Sequence, residues 1–303
     1  MFLCGLPAWI QAQHPIAHNH TRAHDLVGET VADRPSPYYR FETLHLDSSD
    51  GKRHYRVQLA IPENLTAASP ILYMLDGNAA VATLTAADLR VLSERNSPVL
   101  VAVGYDVATR NDVVSRAFDY TPPVKGDGRV SVQPVVRGQL GGGAEIFFNL
   151  IEEQVKPLVR QRTQARGKTY LWGHSYGGLF AMYALFSRPG AFDHTIVGDP
   201  SAWWYHGALF RQWESFDKSL AEGLRIDILV GTKPRPANRP APDDITLLTV
   251  DGREISPRSA LAEMAAGLRH HGAEVTYETF PEFGHGDMIR VSLERALHRA
   301  SAR

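Results

Sequence analysis

The chain predicts an α/β fold: a mostly parallel central sheet of about eight strands flanked by helices, opening with an antiparallel hairpin. Two observations carry that prediction. Short runs such as Ile71–Leu75 and Val99–Val103 are apolar along their whole length and alternate with helical patterns. Strands of that kind are covered by helices on both faces, as in a parallel sheet. The second observation is the stretch Tyr170-Leu171-Trp172-Gly173-His174-Ser175-Tyr176-Gly177-Gly178, which runs straight into the helical pattern Leu179–Phe186. It reads as strand, sharp turn and helix, with a serine at the turn.

Taken in order, residues 1–37 read as a leader or disordered N-terminal segment. Met1–Gln13 is apolar and then abruptly polar, and it lacks the basic start of a complete export signal. His14, His18, His20 and His24 follow with no carboxylate or cysteine at defined spacing, so they are assigned no metal. Residues 38–303 read as a single domain. Phe41–Leu46 and His54–Ile61 alternate about the turn Ser48-Ser49-Asp50-Gly51, which predicts the hairpin. Ile71–Leu75 is the next strand, with a helix predicted over Ala79–Ser93, and Val99–Val103 follows. The elbow strand, Thr195–Val197, Ile226–Val230 and Val275–Phe280 complete the sheet. An irregular stretch at roughly 105–143, rich in Pro, Gly and Arg, is placed as an insertion covering a substrate.

Composition excludes several classes of function. Lys+Arg 32 against Asp+Glu 33 leaves a formal charge of -1, so no global field favours nucleic acid or an anionic membrane. Cys4 is the one cysteine, which rules out an internal disulfide and a cysteine-based zinc site. No run is long enough to predict a membrane-spanning helix.

The turn at Ser175 has the form of a nucleophile elbow. Glycines at 173 and 177 let strand and helix close around a strained serine, and the N–H of Tyr176 faces a developing oxyanion. A serine needs a base, and in this topology the order is serine, acid, histidine. His285 lies between two glycines in the loop after the last strand and is the predicted base. The acid stays open. No carboxylate follows Ile226–Gly231 until Asp243 and Asp244, and Asp199, after Thr195–Val197, is another candidate. A Ser-His dyad is the third option, while Asp227 lies within a strand and Asp287 suits a helix N-terminus. The second oxyanion donor is placed at the N–H of Asn78, or of Gly77, after the Ile71–Leu75 strand. Trp203 and Trp204 follow the Thr195–Val197 strand and are placed in a pocket for an aromatic or apolar substrate.

Leu72–Ala79, Val101–Tyr105, Ser115-Arg116-Ala117-Phe118-Asp119-Tyr120-Thr121-Pro122, Gly142–Glu145 and Trp172–Gly178 occur in that order. Together they resemble the esterase D-like branch of the α/β-hydrolases, and within it the periplasmic trilactone esterases of enterobactin and salmochelin. The resemblance implies a serine esterase that opens a tri-catecholate siderophore, with Ser175 as nucleophile, His285 as base and Arg116 against the anionic ligand. It also implies a Ser-His dyad, a periplasmic location, and no cofactor beyond the iron the substrate carries. Gly198-Asp199-Pro200 departs from the pattern, since relatives tend to have serine where Asp199 stands. A trianionic substrate calls for a cationic rim, and Arg110, Arg116, Lys125, Arg129 and Arg137 all fall in the insertion. A general carboxylesterase or thioester hydrolase is the alternative enzyme, and a siderophore-binding protein that kept the fold is the non-enzyme alternative. The remaining expectations are a small-molecule substrate, no nucleic acid partner, no membrane insertion and a monomer.

Overall fold

Eight strands in one sheet position everything that follows. The computed structural model describes residues 24–126, 130–234, 247–250 and 253–302. Strands β1 (Tyr39–Asp47), β2 (His54–Pro62), β3 (Ile71–Leu75), β4 (Val99–Tyr105), β5 (Thr169–His174), β6 (His194–Gly198), β7 (Arg225–Gly231) and β8 (Glu274–Phe280) lie in the order β1-β2-β4-β3-β5-β6-β7-β8. β2 pairs antiparallel with both β1 and β4, and every later pairing is parallel. This is the predicted architecture.

Alternation along the central strands divides the core in two. Ile71, Tyr73 and Leu75 of β3, with Val99, Val101 and Val103 of β4, face one layer. Leu72, Met74, Leu100 and Ala102 face the other. The first layer is closed by α4 (Ala144–Leu150), α5 (Lys156–Thr163), α6 (Tyr176–Ser187), α7 (Trp204–Ser215) and α8 (Pro257–His270). The second is closed by α1 (Gly77–Val81), α2 (Ala86–Ser93) and α9 (Met288–Ser301). With both faces dry, each large apolar side chain contributes about 1.5–3 kcal/mol through burial.

Three local expectations change. The single helix over Ala79–Ser93 is two, because Thr85 caps α2 in a reciprocal box with Asp88 and ends the preceding turn. The 105–143 stretch is not irregular. It holds α3 (Val113–Asp119), a ribbon pairing Val124–Gly126 with Val130–Val132, and a second pairing Val135–Val136 with Gln139–Leu140. Residues before Tyr38 also belong to the domain from Asp25 onward: Leu26 bridges Thr109, and Val27 N–H donates to the Ala108 carbonyl at 3.0 Å.

Candidate active site

Ser175 leaves β5 at φ 59° and ψ -118°, a conformation costly for any residue with a side chain. The turn is locked on both sides. Ser175 N–H donates to the Gly198 carbonyl, and Ser201 N–H donates to the Ser175 carbonyl, each at 3.0 Å. Gly173 is required, since a Cβ there would stand 2.2 Å from the Gly177 carbonyl oxygen. The serine therefore caps α6, with Tyr176 as the first helical residue and its N–H at the positive end of the helix.

His285 comes from the loop between β8 and α9. Gly284 N–H donates to the Asp287 carboxylate at 2.9 Å, closing that loop, and Asp287 sits at the helix cap as predicted. The imidazole Nε2 is 3.1 Å from Ser175 Oγ, and Nδ1 is 2.6 Å from Asp199 Oδ2. With Asp199 ionised, Nδ1 is the donor and Nε2 accepts from the serine. Burial pushes the Asp199 carboxyl up, but the hydrogen bond and charge of His285 outweigh it and hold the group below the usual carboxylate range. Asp199, one of the three acids left open by the sequence, is brought to the histidine. Asp243 and Asp244 lie outside the described residues. The end of β7 is tied elsewhere, Thr232 N–H to the Phe280 carbonyl and Lys233 N–H to that of Phe283.

The β3–α1 corner lies against the elbow. A Cβ on Gly177 would meet Leu75 Cβ at 3.3 Å and Asp76 Oδ2 at 3.5 Å. Gly77 passes so close to β4 that its own Cβ would stand 2.6 Å from the Ala102 carbonyl carbon. The Asn78 amide is spent on the carbonyls of Tyr105 and Thr109, 3.0 Å each, which pins the corner. The backbone N–H groups of Gly77 and Asn78 fall in the first turn of α1, where a helix leaves its donors unsatisfied.

The expected substrate contacts are rearranged. Arg116 is not presented on the rim: its fork clasps Asp76, Nε to Oδ1 at 2.8 Å and Nη2 to Oδ2 at 2.7 Å. Burial alone would lower its pKa, but the Asp76 charge and hydrogen bonds outweigh that and raise it. The guanidinium also lies 5.2 Å from the Tyr176 ring centre. Arg110 donates to Thr83 Oγ1, just past the end of α1, at 3.2 Å and to the Ala79 carbonyl at 3.4 Å. The tryptophan pair divides. Trp204 is 1% exposed and belongs to the core. Trp203 is partly exposed, 6.0 Å from the Tyr176 ring, with the Arg137 guanidinium 4.3 Å above it. Arg129 lies outside the described residues, as does the side chain of Lys125.

Two residues were missed by the sequence reading. His174 Nε2 is 2.8 Å from the His285 carbonyl and donates to it, steadying the loop that carries His285. Burial, followed by the neighbouring His285 charge, pulls His174 down to about 3, so it stays neutral at physiological pH. A histidine directly before the elbow serine was the available signal. Ser201 is the other, with Oγ 3.3 Å from Ser175 Oγ. Only its place two residues after Asp199 pointed to it.

An eight-stranded α/β sheet with a strained serine, a histidine and a buried carboxylate in one hydrogen-bonded line defines the α/β-hydrolase class. The chain belongs to the Esterase family, described as "Putative esterase", which matches residues 48–281. It is 33% identical over 274 residues to the apo-salmochelin esterase of Escherichia coli, spanning 89% of this chain and 82% of that one. It is 28% identical over 270 residues to the ferri-bacillibactin esterase BesA of Bacillus subtilis, spanning 86% and 89%. The solved structure of the enterobactin and salmochelin hydrolase IroE superposes with a TM-score of 0.71 at 32% identity, covering 90% of this chain and 99% of that one. Among the described residues no helix is long and apolar enough to cross a membrane.

Proposed function

We propose that this esterase hydrolyses the trilactone ester bonds of a catecholate siderophore such as enterobactin, in its ferric form, so that iron is released. The observation that carries the chemistry is the line Asp199–His285–Ser175, with contacts of 2.6 and 3.1 Å behind a strained elbow. Ser175 Oγ attacks the ester carbonyl and His285 Nε2 takes its proton. Asp199 holds the imidazole in the productive tautomer and balances the imidazolium. The N–H groups of Tyr176 and Asn78, or Gly77, receive the oxyanion. His285 then protonates the leaving alkoxide, and water, activated by the same nitrogen, releases the acyl group.

The substrate rests on kinship and on the rim. Trp203 under Arg137 offers a flat, cationic face to an anionic aryl ring. The relatives' names divide between apo and ferri siderophores. In this reading the protein acts as a periplasmic monomer with no resident cofactor, iron arriving only with the substrate. One observation favours a general carboxylesterase instead: the Arg116 fork is already held by Asp76.

Iron-loaded and iron-free enterobactin, offered to wild type and to Ser175→Ala and followed by product chromatography, decide the matter. Linear trimers or dihydroxybenzoyl-serine pieces are expected from wild type, and a loss of roughly 10⁴-fold or more from the variant. Activity on simple aryl esters with no siderophore turnover would leave the carboxylesterase reading in place.

A further inference from the structure

Ser175 Oγ has a second neighbour besides the imidazole. Ser201 Oγ is 3.3 Å away, on a residue only 2% exposed. Its backbone is fixed to the same target, since Ser201 N–H donates to the Ser175 carbonyl at 3.0 Å. Pro200 wedges the segment from below, with its Cα 3.1 Å from where a Cβ on Gly178 would stand. Asp199 N–H holds the upstream end at the Leu229 carbonyl, 2.7 Å. Both the backbone and the hydroxyl of Ser201 are therefore set by built contacts.

The direction of the hydrogen bond follows from the proton count. A hydroxyl carries one proton, and that of Ser175 goes to His285 Nε2. In the contact between the two serines, Ser201 is then the donor and Ser175 Oγ the acceptor. Among the described residues, Ser175 Oγ is the hydrogen-bond partner of the Ser201 hydroxyl. A buried hydroxyl with one partner at hand keeps it, because losing the bond would leave a desolvated donor unsatisfied.

We propose that Ser201 is a catalytic residue that donates its hydroxyl proton in a hydrogen bond to Ser175 Oγ and speeds the release of the acyl group. The inference rests on the esterase reading above. Its effect differs between the two halves of the reaction. During attack the Oγ lone pair is the nucleophile, and a donor on that atom stabilises partial negative charge while blunting nucleophilicity. The two influences oppose each other. During deacylation water attacks the acyl carbon while His285 Nε2 takes a water proton. The carbon–Oγ bond then breaks, its electron pair stays on Oγ, and His285 returns the proton there. Negative charge grows on Oγ as that bond breaks, and a fixed donor 3.3 Å away stabilises it without a compensating penalty. Ser201 therefore acts mainly on the second half.

Pre-steady-state hydrolysis of a p-nitrophenyl ester separates the two halves. Ser201→Ala is expected to release one nitrophenolate per enzyme in a burst at close to the wild-type rate. Turnover should then slow by about tenfold, the scale of one neutral hydrogen bond to a reacting atom. Mass spectrometry of quenched enzyme should show the acyl group accumulated on Ser175, and Ser201→Thr should restore turnover. Fluorophosphonate labelling of Ser175 at the wild-type rate shows that the variant is folded and its elbow intact. Turnover equal to wild type in Ser201→Ala would overturn the role, as would a burst and a labelling rate that fall together with turnover. A burst that survives Ser175→Ala would instead overturn Ser175 as the nucleophile of the proposed function.

Discussion

Asp199 holds φ +41°, a backbone region that costs an aspartate about 1–3 kcal/mol and persists only when its surroundings enforce it. The enforcement is the contact with His285, together with the strand ends on either side. Replacing it tests whether the third member matters. Asp199→Asn should lower turnover by about 10²–10⁴-fold with fluorophosphonate labelling slowed in parallel, because the amide no longer fixes the tautomer. Unchanged kinetics would mean that the enzyme runs as a dyad. Asp199 is held below its ordinary 3.8, so it stays ionised down through that pH. Any loss of activity between pH 7 and 4 then has another origin. Ser175 and His285 were legible in the sequence because each announces itself locally, one by flanking glycines and the other by place in the chain. Asp199 was not separable from Asp243 and Asp244. Which strand end reaches the histidine depends on the packing of β6, β7 and β8, and no local pattern records that.

At the level of elements, Arg116 ties α3 to the corner between β3 and α1. Asp76 lies 40 positions earlier in sequence, and no pattern predicted the pairing. The arginine side chain is 14% exposed and the aspartate 8%, so removing one partner strands the other. Arg116→Met should cost about 3–5 kcal/mol in urea unfolding, and Arg116→Met with Asp76→Asn should recover part of it. An effect on substrate affinity with no loss of stability would return Arg116 to the role the sequence suggested. The two tryptophans show the same limit at shorter range. Trp203 caps α7 and Trp204 begins it, just before a kink at Tyr205, His206 and Gly207, and Trp203 is partly exposed while Trp204 fills the core. Composition treats them alike. The backbone does not.

Across the whole molecule, the far edge of the sheet is held by Asp227 of β7. Arg299 of α9 donates to it at 2.7 Å, Arg295 stands 3.6 Å away, and His194 of β6 lies at 3.2 Å. Burial pushes the carboxyl up, yet the hydrogen bonds of His194 and Arg299 outweigh it and hold it at about 2, against an ordinary 3.8. A depressed carboxyl contributes stability that is complete above its unfolded value and lost as pH falls through its folded one. The contribution is about 2 kcal/mol, present above pH 4 and gone near pH 2. Asp227→Asn should be less stable than wild type at pH 7 by about 3 kcal/mol, with the gap narrowing at pH 2–3. Equal gaps at both pH values in urea titrations would show that this carboxyl is not what the acid removes.

Gly198, Asp199, Pro200 and Ser201 are consecutive, and each touches either the elbow, the base or β7. The Ser175–His285–Asp199 line therefore depends on the seating of a single strand end. On slow heating, turnover should be lost together with the helical optical signal, because β6 is buried along its length and paired on both sides.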